Sequence, residues 1–278
     1  MRLFHKVLDK AREEGKINTC FRPWDGSAAE AGGIETALVE AQGLMPRLGK
    51  ISGEMQNDFQ MVIENIRSKV AERDAHIIGI TSAVPGHGSS TLAALLSLMI
   101  AESERSYLGP FMQKDEKLRE TEAGILLVDA QVRNPLLHTM LEVPAKGGLH
   151  EILSGTLPYK EAIKEVEGSR LKLVTIGNEK GFRYTQAHME KFKAFLGKMV
   201  QSGYEFVLLD IPPILHYAEG LALSNLCDGI VFVVSAGRGR MEVVKEAKRL
   251  MERARVPILG AVLNRREYFI PDWIYKRL

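Results

Sequence analysis

The sequence predicts an α/β protein with a doubly wound, mostly parallel sheet held between two layers of helices. Three observations carry that prediction. Six short apolar runs, most of them rich in β-branched residues, occur at 77–80, 125–128, 171–174, 206–209, 229–234 and 258–263, as expected of strands covered on both faces. Helical segments at 91–102, 135–141, 188–201 and 242–254 separate most of them, and this βα alternation favours a parallel sheet. The junction at 77–101, IIGITSAVPGHGSSTLAALLSLMIA, reads as buried strand, glycine loop and helix, the layout of a phosphate-binding P-loop. The expected architecture is therefore a three-layer α/β/α P-loop NTPase fold.

The 278 residues suffice for one large domain with a well-buried core, and 45% apolar with 26% charged residues suits a globular protein. A formal net charge of +2 is too small to point to nucleic acid. Cys20 and Cys227 form no CxxC pair, which fits ordinary cysteines in a reducing, cytoplasmic setting. No run of about 18 uncharged apolar residues is present. The first sixteen residues are too charged for a secretory signal, yet Leu3, Phe4, Val7, Leu8 and Ala11 share one helical face. Such a helix docks on a protein surface or lies peripherally on a membrane, which would place the chain at the inner face of the plasma membrane.

Residues 17–50 carry several glycines and prolines with little periodicity and read as a linker with one short helix near 34–42. A helix is expected over 55–70, where Phe59, Val62, Ile63 and Ile66 are apolar, and the compact domain starts near His76. The charged stretch 102–122 reads as a surface insertion. The division is thus 1–54 for the amphipathic helix and linker, 55–267 for the nucleotide-binding domain, and 268–278 for a tail.

Three strand ends could carry chemistry. In Pro85-Gly86-His87-Gly88-Ser89-Ser90-Thr91, the glycines let backbone amides turn toward an anion. The helix that follows places its positive end at the same point. Ser90 stands where a hydroxyl would bind a magnesium ion. The lysine that the motif needs is replaced by Ser89. The second strand ends in Asp129, followed by Ala130-Gln131-Val132-Arg133, and the third in Asp210, followed by Ile211-Pro212-Pro213. Acidic residues there project to the sheet edge where ligands bind; Asp129 could hold magnesium or orient a nucleophile, and Asp210 could hold magnesium through water.

These residues resemble the bacterial tyrosine kinases of capsular and exopolysaccharide assembly, within the MinD/ParA-like P-loop ATPases. The family pattern is SxxPGEGKST, then hhhDxDxR, then hhhDxPP. Ser82 to Thr91, Asp129 to Arg133 and Asp210 to Pro213 match it, as do Gly148 to Gly155 and the segments 227–234 and 260–265. The resemblance covers roughly residues 55–267. It implies ATP or ADP with magnesium as ligands, Pro85 to Thr91 and Arg133 at the nucleotide, Asn264 against the adenine, and Asp129 and Asp210 at the catalytic centre. It also implies a membrane polysaccharide co-polymerase or export protein as partner, and self-assembly.

The departures from the pattern share one direction. Ser89 replaces lysine, and Gln131 replaces an aspartate that acts near the attacking tyrosine hydroxyl. Glutamine cannot serve as a base. Asn57, Gln60 and Ile63 occupy the frame of the family's ExxRxxR assembly motif, and only Tyr268 and Tyr275 remain where the family has a tyrosine cluster. Three readings follow. The chain is a degenerate, kinase-like regulator that binds nucleotide weakly, or an active tyrosine kinase or ATPase that borrows a cation from Arg133 or from a partner's lysine, or a membrane-associated positioning ATPase.

Overall fold

The computed structural model describes residues 19–23, 37–39, 53–71, 76–112, 124–178, 182–236 and 241–264. The expected N-terminal helix, residues 113–123 and the two tail tyrosines lie outside them. Among the described residues nine strands form one sheet. They are β1 (Thr19–Pro23), β2 (Ala37–Val39), β3 (Ile77–Ser82), β4 (Ile125–Asp129), β5 (Lys164–Glu165), β6 (Leu171–Val174), β7 (Phe206–Asp210), β8 (Gly229–Ser235) and β9 (Ile258–Asn264). Their order is β2-β1-β9-β8-β3-β7-β4-β6-β5. The six from β9 to β6 run parallel, and β1, β2 and β5 add antiparallel edges. All six expected strands are present.

The helices are α1 (Gly53–Ala71), α2 (Ser89–Met112), α3 (Leu137–Met140), α4 (Leu149–Ser154), α5 (Tyr159–Ala162), α6 (Gln186–Gln201), α7 (Ala218–Ser224) and α8 (Met241–Arg253). Alternation along the strands divides the core. Ile125 and Leu127 of β4 join Val62, Ile63 and Ile66 of α1 and Leu92, Leu95 and Leu96 of α2 in one apolar cluster. Leu126 and Val128 join Leu149 and Leu153 of α4, Phe192 and Leu196 of α6 and Met251 of α8 in another. Side chains of successive strand residues point to opposite faces, so a continuously apolar strand supplies both clusters. Each fully buried Leu or Ile contributes about 1.5–3 kcal/mol, and the three layers are the result.

Three local expectations are corrected. Residues 17–50, expected as a linker with one short helix near 34–42, instead contribute β1 and β2. The unpaired edge of β9 takes β1, with Phe21 opposite Val262, and β1 takes β2; an open edge offers free backbone N–H and C=O groups that a strand satisfies. Helix α2 continues to Met112, so the first half of the expected insertion is helical, consistent with the good helix formers just beyond residue 101. Helix α3 is only four residues long. Ile63 is 1% exposed, a core residue of α1 as its apolar position in the expected helix implies.

Candidate functional site

The strand order brings the expected site residues together. β3 lies at the centre, flanked by β7 and β8, with β4 beyond β7 and β9 beyond β8. Ile80 of β3 is level with Asp210 of β7, which is level with Asp129 of β4. On the other side Ser235 of β8 is level with Asn264 of β9. The glycine loop, both aspartates and Asn264 therefore share one stretch of the carboxyl edge of the sheet, where such folds bind ligands.

The loop is built for close approach of backbone. Gly86 and Gly88 have φ of 83° and 85°, a region that side chains strain to enter. A methyl group on Gly88 would also overlap Asn264 Nδ2. The loop is braced from three sides. Thr81 Oγ1 donates to the Pro212 carbonyl at 2.9 Å, and Ser82 Oγ to the Val84 carbonyl at 2.9 Å. Ile214 N and Leu215 N donate to the Ser82 and Ala83 carbonyls. The His87 ring is buried, with Nδ1 3.4 Å from the Val233 carbonyl. Pro85 and Gly86 at the tip remain exposed. Ser89 begins α2 and is buried, as is Thr91.

Asn264 has a position that the sequence did not suggest. Its side chain, 3% exposed, donates from Nδ2 to the His87 carbonyl at 2.8 Å, so it ties the end of β9 to the loop. Asn264→Ala is expected to weaken nucleotide binding and to cost about 1–3 kcal/mol of stability, because a buried carbonyl loses its donor. Calorimetric titration with ADP, alongside urea unfolding, checks both effects; an unchanged affinity removes Asn264 from the site.

The acidic side of the site is wholly buried. Asp129 accepts from the Gln131 backbone N–H at 3.0 Å through Oδ1. Asp210 accepts from the Ser90 hydroxyl and from Gln131 Nε2, the latter at 3.3 Å, and its Oδ2 is buried without a hydrogen-bond partner. Burial pushes the Asp210 carboxyl up to about 7 from an ordinary 3.8, against the lowering effect of the Ser90 and Gln131 hydrogen bonds. The folded state thus holds this proton more tightly than the unfolded chain. Its contribution to stability is complete in acid and is lost as pH rises from about 4 through about 7. Asp210→Asn, which keeps the shape and cannot ionise, is expected to gain stability relative to the wild type between about pH 5 and pH 8. Urea midpoints of both proteins at the two pH values check this; a difference that does not grow with pH contradicts it.

Arg133 meets α7 and the residue before it. Its Nε lies 3.5 Å from Glu219 Oε1 on α7, and its guanidinium stands 5.8 Å from the centre of the Tyr217 ring. Sequence reasoning missed Glu219 and Tyr217, and also Tyr184, whose hydroxyl donates to the Ala130 carbonyl at 3.1 Å beside Asp129. All three lie more than 50 residues from their partners, and no spacing marks them. Among the described residues no group of three or more His, Cys, Asp or Glu could hold a metal ion, so a cation here would rest on two carboxylates and a hydroxyl. The oxygens of Ser90, Asp129 and Asp210 suit magnesium. The Gln131 amide nitrogen, 3.4 Å from Ser90 Oγ and 3.3 Å from Asp210 Oδ1, does not. With Gln131 so placed, the residues do not fit the ion.

A central strand, a loop with two left-handed glycines, a helix starting at Ser89 and two level strand-end aspartates define a P-loop NTPase fold. Comparison with known proteins narrows the class. No family model matches the chain. It is 27% identical over 206 residues to the tyrosine-protein kinase YwqD of Bacillus subtilis (strain 168), covering 74% of this chain and 79% of that protein. It is 29% identical over 213 residues to the tyrosine-protein kinase CpsD of Streptococcus agalactiae serotype III (strain NEM316), covering 74% and 81%. The succinoglycan biosynthesis transport protein ExoP of Rhizobium meliloti (strain 1021) is 25% identical over 70% of this chain and 23% of its own length. Among solved structures, the chimerical protein CapA2B2 is 26% identical with a TM-score of 0.63, covering 78% of this chain and 87% of that one. The MinC:MinD complex of Aquifex aeolicus shares the fold, with a TM-score of 0.51 at 22% identity and 66% coverage of each chain. Over about three quarters of its length the chain is similar to bacterial tyrosine-protein kinases, and it shares their P-loop fold.

Proposed function

We propose that this chain is a nucleotide-binding, kinase-like regulator in exopolysaccharide or capsule assembly, which holds ATP or ADP and transfers phosphate poorly. One observation carries this reading: the backbone cradle is intact and braced, whereas the two side chains that would act on a transferred phosphoryl group are Ser89 and Gln131. The phosphates rest on the loop amides and on the start of α2, which need no lysine. Without the lysine, charge building on the transferred group loses a preorganised donor, a deficit of about 10²–10³ in turnover. Gln131 can orient a hydroxyl but cannot remove its proton.

The regulated partner is a membrane polysaccharide co-polymerase or export protein, a role supported by the similarity to the succinoglycan biosynthesis transport protein. Among the described residues no helix is long and apolar enough to cross a membrane, so contact with such a partner falls to surfaces and to segments such as the amphipathic N-terminus. Titration of the full chain with ATP and ADP, together with an assay of ATP hydrolysis, tests the proposal. Saturable binding with turnover about 10² or more below an ordinary kinase rate supports it. Hydrolysis at an ordinary rate, abolished by Asp210→Ala, overturns it.

A further inference from the structure

Gln131 stands where the chemistry of this fold places a cation. Its side-chain nitrogen lies 3.4 Å from Ser90 Oγ, 3.3 Å from Asp210 Oδ1 and 3.5 Å from the Ile211 carbonyl. Three oxygens from α2, β7 and the loop after it thus converge on one point, and an amide NH2 group fills it. Chemistry fixes the orientation of that amide. The Ile211 carbonyl can only accept a hydrogen bond, so the amide must present its nitrogen to it and not its oxygen. The side chain is 6% exposed, and its own backbone N–H is held by Asp129. The loop leaving β4 therefore aims Gln131 into the cage.

Magnesium requires near-octahedral oxygen ligands at about 2.0–2.1 Å. At this point the amide occupies the volume and turns hydrogens toward the oxygens, as a cation turns its charge. A bound ion would do two things: offset phosphate charge and shield the buried carboxylate from it. Gln131 performs the second by hydrogen bonding to Asp210. The loop amides and the positive end of α2 perform the first.

We infer that Gln131 is a built-in substitute for the divalent cation, and that the ligand of this P-loop is a nucleoside di- or triphosphate free of metal. This rests on the nucleotide-binding reading above and adds the form in which the nucleotide is taken. It makes Gln131 the residue that sets metal dependence, in addition to being a lost base.

The test is calorimetric titration of the full chain with ADP, in magnesium and in a chelator, for the wild type and for Gln131→Asp. The two wild-type affinities are expected to agree within about twofold, whereas Gln131→Asp should bind about tenfold or more tightly with magnesium than without. A wild type tightened about tenfold by magnesium overturns the inference and leaves nucleotide binding standing. A Gln131→Asp protein indifferent to magnesium also overturns it. Absence of ADP binding in both conditions overturns the inference together with the nucleotide-binding reading. If Gln131→Asp does not fold, Gln131→Ala takes its place, since an emptied cage should also regain a response to magnesium, and the wild-type pair decides the matter in either case.

Discussion

Ser89→Lys is expected to tighten ATP binding by about tenfold or more while leaving phosphoryl transfer about 10² or more below an ordinary kinase rate. Ser89 is the first residue of α2, directly after Gly88, where a lysine would reach phosphates already seated on the loop. An added charge at that position acts on the bound ground state as well as, more strongly, on the transition state, so affinity responds at once. Transfer does not follow, because removal of the hydroxyl proton still falls to Gln131, which has no basic site. General base catalysis contributes about 10²–10⁴, and the lysine cannot supply it. Adding Gln131→Asp to Ser89→Lys should therefore raise transfer far more than either change alone. Binding by calorimetry and transfer of radiolabel from ATP separate the two effects. Full transfer activity from Ser89→Lys alone would show that Gln131 is no obstacle.

Gly148→Ala is expected to be among the most damaging single methyl additions in the described part of the chain, at about 3 kcal/mol or more, the upper end of the overpacking range. Gly148 precedes α4, where the chain crosses the end of β6 so closely that Leu149 N and His150 N donate to the Thr175 and Ile176 carbonyls at 2.8 and 2.9 Å. A methyl on Gly148 would overlap the Thr175 carbonyl oxygen and stand 2.6 Å from Gly177 N. Both are backbone atoms and cannot rotate away. The same contact is held by Glu151, which accepts from Gly148 N at 2.9 Å and from Asn178 N at 3.1 Å. Gly197→Ala, in α6, is the control: nothing lies within 4 Å of the added methyl, and a helical Gly→Ala change should stabilise by up to about 1 kcal/mol. Urea unfolding of both variants checks the pair. A mild Gly148→Ala would mean that α4 can lift off β6.

Much of the fold was legible because its signals are local. A run such as Ile125 to Val128, short, apolar at every position and ended by Asp129, suits a strand buried on both faces, and the structure divides its side chains between two cores. The glycines at 86 and 88 were readable as points where the backbone must turn, and their positive φ agrees. Strand ends carrying Asp129 and Asp210 were readable as edge residues. What could not be read is adjacency. That β4, β7 and β3 are consecutive in the sheet follows from packing of helices chosen far apart in the chain. So does the meeting of Gln131 with Asp210, 79 residues away, and of Arg133 with Glu219, 86 residues away. The resemblance implies Asn264 against the adenine, and only the approach of β9 to the loop shows it holding the His87 carbonyl. Strands β1 and β2 were missed because three to five residues are too few for a period, and their pairing depends on the open edge of β9.

The measurement that bears most directly on a cradle kept while transfer is lost is single turnover of ATP by the full chain, with bound nucleotide and released phosphate followed together in the presence of magnesium. Saturable occupancy with phosphate release about 10² or more slower than an ordinary kinase step is the expected result. Occupancy followed by release at an ordinary rate, lost in Asp210→Ala, would contradict it.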